Sequence, residues 1–219
     1  MRLSGKYFVV TAGATREAID PVRYISNHST GKMGYAIAEA LAARGAKVIL
    51  VSGPTALSAP EGVERISVES AAEMYEATRA LFDECDGAVL CAAVADYTPV
   101  TAAQNKIKKG LEGGDTMTIE LKKTVDIAAA LGATKGEKLT IGFALETENE
   151  RVNAQQKLER KNFDFIVLNS TRDEGAGFGF DTNKVTLIDK MGAEELPLLD
   201  KREVAERITD KIELLCCRA

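Results

Sequence analysis

The residues with the clearest capacity for chemistry lie in the segment Asp20-Pro21-Val22-Arg23-Tyr24-Ile25-Ser26-Asn27-His28-Ser29-Thr30-Gly31-Lys32-Met33-Gly34, a polar, glycine-bearing loop that runs straight into an apolar helix. A helix N-terminus exposes unpaired N–H groups and the positive end of the helix dipole, so this junction suits an anion such as phosphate. It reads equally as an ordinary helix start with Ser29 or Thr30 as N-cap. Lys106, Lys108 and Lys109 concentrate positive charge next to Gly110, Gly113 and Gly114. Such a run is usually a solvated surface, but on a flap of an acidic chain it also suits closure over a triphosphate. Lys157 and Lys161 are four residues apart on one helix face and, taken alone, read as a solvated face. Asp96 follows an apolar strand, at the carboxyl edge where open α/β sheets bind ligands; it also reads as a plain turn residue.

Several chemistries are disfavoured. Gly-x-x-x-x-Gly-Lys-[Ser/Thr] is absent and Lys32 lies just inside its helix, which argues against a P-loop NTPase. The first strand is followed by a single Gly13, and the second ends Val51-Ser52-Gly53 with no carboxylate for a ribose diol, so a nicotinamide dehydrogenase is a weak candidate. His28 is the one histidine and has no reactive Cys or Ser pattern around it, which leaves a catalytic triad unsupported. Cys85, Cys91, Cys216 and Cys217 form no Cys-x-x-Cys pair, which argues against zinc, iron–sulfur and disulfide frameworks. A net charge of -5 argues against a general nucleic-acid or membrane-surface role. With no signal-peptide pattern and no apolar run of membrane-spanning length, the expected location is the cytoplasm.

The elements that must position these groups follow from periodicity. Lys6 to Thr11 reads as a buried strand, Met33, Ile37, Ala40 and Leu41 recur at helical spacing up to a capping Gly45, and Lys47 to Val51 is a second strand. Val63 to Val68 is a short strand, Ser70-Ala71-Ala72-Glu73 a capping box for a helix to about Glu84, and Gly87 to Val94 a central strand. Residues 97–124 break the rhythm and read as a flap or β-ribbon, with Met117, Ile119 and Leu121 alternating with polar residues. Strands at Leu139 to Leu145 and Phe165 to Leu168 flank a helix with a capping box at Thr147-Glu148-Asn149-Glu150. A ribbon of Lys184 to Asp189 and Glu195 to Leu199, within 184–199, precedes a last helix from Lys201 to about Cys217. The alternation predicts a single α/β domain over residues 1–219: a doubly wound, mostly parallel Rossmann-like sheet with helices on both faces and a projecting flap.

Thr11-Ala12-Gly13-Ala14-Thr15-Arg16-Glu17, Asp20 to Gly34, Ala92-Ala93-Val94-Ala95-Asp96-Tyr97, Lys106-Ile107-Lys108-Lys109 and Gly142-Phe143-Ala144-Leu145-Glu146-Thr147, taken together, resemble phosphopantothenoylcysteine synthetase over most of the chain. In many bacteria that enzyme is the C-terminal half of a bifunctional protein whose other half is a flavin-dependent decarboxylase, so a stand-alone synthetase or an excised domain is expected. The resemblance implies a ligase of coenzyme A biosynthesis that joins 4′-phosphopantothenate to L-cysteine through an acyl-cytidylate, consuming CTP and releasing pyrophosphate and CMP. It implies Mg²⁺ on the triphosphate, with no protein metal cluster, and a homodimer paired through the ribbons and flap.

Residue by residue, Asn27 matches the asparagine that holds the acyl-cytidylate, and Lys106 the lysine of nucleotide activation. Leu90, Cys91, Ala92, Asp96, Val125, Asp126, Ile127, Ala128, Phe143, Lys157 and Lys161 match nucleotide-binding positions; Val125 departs from an expected proline. Arg23, with Ser29, Gly31 and Lys32 at the helix start, is assigned to the phosphopantothenate end on electrostatic grounds. Relatives in eukaryotes use ATP, and no side chain here reads cytosine unmistakably; the bacterial look of the motifs favours CTP. An NAD(P)-linked oxidoreductase and a non-catalytic nucleotide-sensing dimer are the alternatives.

Overall fold

The computed structural model describes residues 2–108, 116–170, 177 and 179–217. Lys109, Gly110, Gly113 and Gly114 of the expected flap lie outside the described residues. In chain order the elements begin with β1 (Tyr7–Ala12), β2 (Arg16–Ala18), β3 (Tyr24–Ser26), α1 (Lys32–Ala43), β4 (Lys47–Ser52), β5 (Glu64–Ser67), α2 (Ala71–Phe82) and β6 (Gly87–Leu90). They continue with β7 (Tyr97–Pro99), β8 (Leu121–Lys123), α3 (Ile127–Thr134), β9 (Leu139–Glu146), α4 (Glu150–Arg160) and β10 (Phe165–Ser170). The last are β11 (Thr182–Asn183), β12 (Val185–Asp189), β13 (Gly192–Glu195), β14 (Leu199–Asp200) and α5 (Lys201–Cys216).

The main sheet has the strand order β13-β12-β10-β9-β6-β1-β4-β5. The run from β10 to β5 is parallel, and β12 and β13 add an antiparallel edge. Both faces are covered, which explains why these strands read as continuous apolar runs rather than alternating ones. Phe8, Val10, Leu50, Phe165 and Val167 turn toward α1 and α5, while Val9, Val51 and Ala88 turn toward α2 and α3, and Ile166 and Leu168 toward α4. Each buried Leu, Ile or Phe contributes about 1.5–3 kcal/mol, so the order of the sheet edge near the functional loops rests on this two-sided burial. The expected Rossmann-like architecture with helices on both faces is the one observed.

Local differences have identifiable causes. Gly31, not Ser29 or Thr30, is the N-cap of α1; it has φ 83 and no side-chain cap, while the Ser29 hydroxyl accepts the Gly31 N–H at 3.3 Å. The expected capping box at Thr147 to Glu150 is replaced by Asn149 as N-cap, in the left-handed region at φ 47 and without a side-chain cap. The strand expected over Gly87 to Val94 leaves the ladder after Leu90, because Ala93 is taken up by the loop after β1: its N–H donates to Gly13 O at 2.9 Å and its carbonyl accepts from Thr15. The closing ribbon turns earlier than expected: Asp189 accepts the Met191 and Gly192 N–H groups, so β12 pairs with β13. Leu199 and Asp200 pair instead with β11. β7 and β8 do pair as an antiparallel ribbon at the root of residues 97–124, although Met117 and Ile119 are outside any strand.

Candidate functional site

The chain leaves β1 for β4 on one side and places β6 and β9 on the other, so the sheet order reverses between β1 and β6. The carboxyl ends of strands at such a reversal leave a crevice. Here it is a cleft of about 670 Å³, lined by Thr11 from β1, Leu90 to Val94 after β6, Phe143 to Leu145 of β9 and Asn169 of β10. The N-terminus of α1 forms one wall and α3 with α4 the other.

On the first wall, Gly34 lets α1 approach the sheet, since a Cβ there would stand 2.6 Å from the Ala12 Cβ. The first turn of α1 carries no acidic residue, its cap supplies no side chain, and Gly31 to Gly34 line the cleft. Asn27 is exposed, and its Nδ2 donates to Ala93 O at 3.1 Å. The strip 92–95 that Asn27 touches is pinned from beneath: Thr11 Oγ1 accepts from Ala92 N at 3.2 Å and Thr15 Oγ1 from Ala95 N at 2.9 Å.

On the opposite wall, Asp126 caps α3, its carboxylate accepting the Ala129 N–H at 3.0 Å and the Lys161 ammonium at 3.0 Å. Lys157 reaches from α4 to β9 and donates to Phe143 O at 2.7 Å. Burial holds the Lys157 ammonium below the usual lysine range, and the Lys161 charge adds to that effect. Asp96 is near enough to oppose it. Both lysines therefore face the cleft, contrary to the solvated-face expectation, because α4 packs against β9 and β10 with this side inward. Cys91 lies in the floor, where burial pushes its thiol up to about 12, so it is a neutral S–H at physiological pH.

Leu90, Cys91, Ala92, Asp96, Val125, Asp126, Ile127, Ala128, Phe143, Lys157, Lys161, Asn27, Ser29, Gly31 and Lys32 all line this one cleft. Arg23 and Lys106 do not line it within one chain. Arg23 instead forms a double contact with the Asp20 carboxylate, through Nε at 3.1 Å and Nη2 at 2.5 Å, and Nη2 also donates to Ile107 O at 3.0 Å. Ile107 N donates back to Asp20 at 3.1 Å, so hairpin β2–β3 and the lysine run are tied at one point, with Lys106 exposed beside it.

The far end of the cleft was not foreseen. Lys201 and Asn183 are buried there, and Asn169 lines the wall. Burial, and next the Lys32 charge, hold the Lys201 ammonium below the usual lysine range. A lysine at the first position of a helix opposes the helix dipole, and Lys32 and Lys201 both do so; that double breach of helix electrostatics was the available signal. Among the described residues no three His, Cys, Asp or Glu side chains gather as a metal cage, and no helix is long and apolar enough to cross a membrane.

The family model for the DNA/pantothenate metabolism flavoprotein C-terminal domain matches residues 3–215. The chain belongs to that family. It is 51% identical over 215 residues to the Coenzyme A biosynthesis bifunctional protein CoaBC of Bacillus subtilis (strain 168), covering 97% of this chain and 52% of that protein. It is 52% identical over 213 residues to a prokaryotic Cysteine/Cysteine sulfinic acid decarboxylase, covering 96% of this chain and 58% of that protein. The chain therefore spans about half the length of the curated relatives it matches. The crystal structure of a C-terminal domain of CoaBC superposes with a TM-score of 0.84 at 45% identity, covering 100% of this chain and 99% of that one.

Proposed function

We propose that this family member is the ligase of coenzyme A biosynthesis that joins 4′-phosphopantothenate to L-cysteine, with CTP as the activating nucleotide. The observation that carries the reading is the grouping of Asn27, Asp96, Phe143, Lys157 and Lys161 on one cleft with the uncapped start of α1. The similarity to CoaBC proteins supports the metabolic setting.

In the proposed reaction the carboxylate of 4′-phosphopantothenate attacks the α-phosphorus of CTP; a P–O bond forms and pyrophosphate leaves. The cysteine amine then attacks the acyl carbon, and CMP leaves as the amide forms and the amine loses its proton. A carboxylate is a poor acyl donor to an amine, and the mixed anhydride divides one difficult step into two easier ones. Lys157 and Lys161 offset charge on the nucleotide phosphates, and Lys106 is assigned to the activation step. The Asn27 amide, now on Ala93 O, is the donor for the acyl oxygen as charge develops there. Ser29, Gly31 and Lys32 receive a phosphate of the substrate at the start of α1. Mg²⁺ is expected to accompany the triphosphate, where it would offset phosphate charge during the activation step.

We also propose a homodimer. Val22 and Tyr24 of the hairpin and Tyr97 and Val100 of the ribbon are 59%, 48%, 46% and 42% exposed, and β2 packs on β7, so the hairpin and ribbon that carry these exposed apolar side chains are neighbours. Arg23 and Lys106 are assigned to the cleft of the second copy.

The test is pyrophosphate release with 4′-phosphopantothenate, cysteine and either CTP or ATP. Release that requires CTP supports the reading. Carbon dioxide release from cysteine without nucleotide would instead favour the activity named for the decarboxylase relative.

A further inference from the structure

We propose that Lys32, which lines the cleft, and Asp181, which lies outside that lining, form an exchangeable ion pair in which Lys32 meets either the Asp181 carboxylate or a phosphoryl group of the ligand, so that Asp181 weakens retention of that group and speeds its release. The proposal rests on the anion-binding reading of the cleft.

Lys32 Nζ meets Asp181 Oδ1 at 2.6 Å, joining the first residue of α1 to the segment that leads into β11. The backbone that presents Asp181 is held firmly. Its carbonyl accepts the Lys201 N–H at 2.9 Å, and the Lys201 ammonium donates to Phe180 O at 2.6 Å and Gly177 O at 3.0 Å. Thr182, the next residue, is paired with Asp200 in the β11–β14 ladder. The carboxylate is thus delivered by anchored backbone, and only its own side-chain rotors remain to be fixed. The cluster holds two cations, Lys32 and Lys201, and one carboxylate, beside helix N–H groups that lack a side-chain cap. Asp181 is 85% exposed and Lys32 36%, so the pair is solvent-screened and weak enough to exchange. A phosphoryl group carries more charge than a carboxylate and can use the α1 N–H groups as well. It displaces Asp181 on entry, and the carboxylate returns as the group leaves.

The incoming phosphoryl group has three possible sources: the ester of the acid substrate, the nucleotide triphosphate, or pyrophosphate. Calorimetry and stopped-flow dissociation on the full chain, with 4′-phosphopantothenate, Mg²⁺–CTP and inorganic pyrophosphate as separate probes, distinguish them. The variants are Asp181→Asn, Lys32→Met and the double substitution. Asp181→Asn is expected to bind at least one probe about threefold to tenfold more tightly, with slower dissociation, and the gain is expected to vanish in the Lys32→Met background. Unchanged or weaker binding of all three probes by Asp181→Asn overturns the proposal. So does an equal gain in the Lys32→Met background, which is the signature of a general charge effect. If pyrophosphate shows the expected pattern while Mg²⁺–CTP does not bind, the ion exchange stands and the nucleotide reading fails; if nothing binds, both fail.

Discussion

Lys157 and Phe143 are joined by a 2.7 Å hydrogen bond from ammonium to main-chain carbonyl, which fixes a cation of α4 over the carboxyl end of β9. Burial depresses the pKa of that cation, so two consequences of opposite sign follow. Only the protonated form attracts phosphate; under the proposed nucleotide reading, affinity should therefore fall as pH rises through a value below the ordinary 10.5 of lysine. For folding, an unfolded lysine keeps its proton to higher pH, so this group makes the protein more stable as pH rises through the same window. Lys157→Met should weaken CTP binding by about tenfold to a hundredfold, as expected for losing a charged hydrogen bond, and flatten the fall in affinity on the alkaline side, below pH 10.5. Its melting temperature should not fall. A large loss of stability with unchanged affinity would reverse the assignment.

Asp20 joins the hairpin to the lysine run. Its covered carboxylate accepts from Val22 N and Arg23 N, each at 2.9 Å, and from the Arg23 guanidinium and Ile107 N. The Arg23 contact, with the backbone donors, holds its pKa well below the usual carboxylate range. A depressed carboxylate gives stability that is fully present above its ordinary value of 3.8 and is lost as pH falls below it. Asp20→Asn should melt lower than the wild type at pH 7, and the gap should narrow at about pH 3. Hydrogen exchange at Ile107 N should accelerate in the variant, because its acceptor is weakened.

Much of this was legible in the sequence because the periodic elements are strongly patterned. The Ser70 capping box at α2 is present with both reciprocal bonds, and Gly45 follows α1 in the left-handed region at φ 91. What escaped was set by contacts between distant residues. The end of β6 depends on Gly13 and Thr15, and the pairing of Leu199 with Asn183 has no local period to announce it. In the cleft, side chains near the loop motifs could be assigned, whereas Lys201 reaches the same place only because α5 packs on α1. Asp126 and Lys161 illustrate an intermediate case: both positions were foreseen, but not the 3.0 Å pair between them.

Gly31 tests the proposed anion site at the start of α1. A side chain at φ 83 pays for the left-handed conformation, and its Cβ would stand 3.3 Å from Gly13 backbone. Gly31→Ala should cost about 1–3 kcal/mol in stability, read from denaturant unfolding, and weaken phosphoryl ligands by displacing the first turn of α1. Gly62→Ala is the control, since Gly62 has φ 74 with nothing within 4 Å. It should lose stability through the backbone alone and keep ligand affinity.

Arg23 and Lys106 do not line the cleft of their own chain, whereas Asn27 does, and this difference makes subunit sharing measurable. Under the proposed dimer, Asn27 and Lys106 at one site come from different copies. Asn27→Ala and Lys106→Ala should each be nearly inactive alone. Mixed and allowed to exchange subunits, half of the dimers become heterodimers, each with one site carrying both changes and one carrying neither. Activity should then recover to about a quarter of the wild-type level, the statistical value for random pairing of a two-fold dimer. If Lys106 serves its own chain, every site keeps one substitution and mixing restores nothing. Tyr24→Glu, placed in the exposed apolar surface beside Arg23, should shift sedimentation toward monomer and abolish the recovery. A monomeric but fully active Tyr24→Glu protein would remove the case for shared sites.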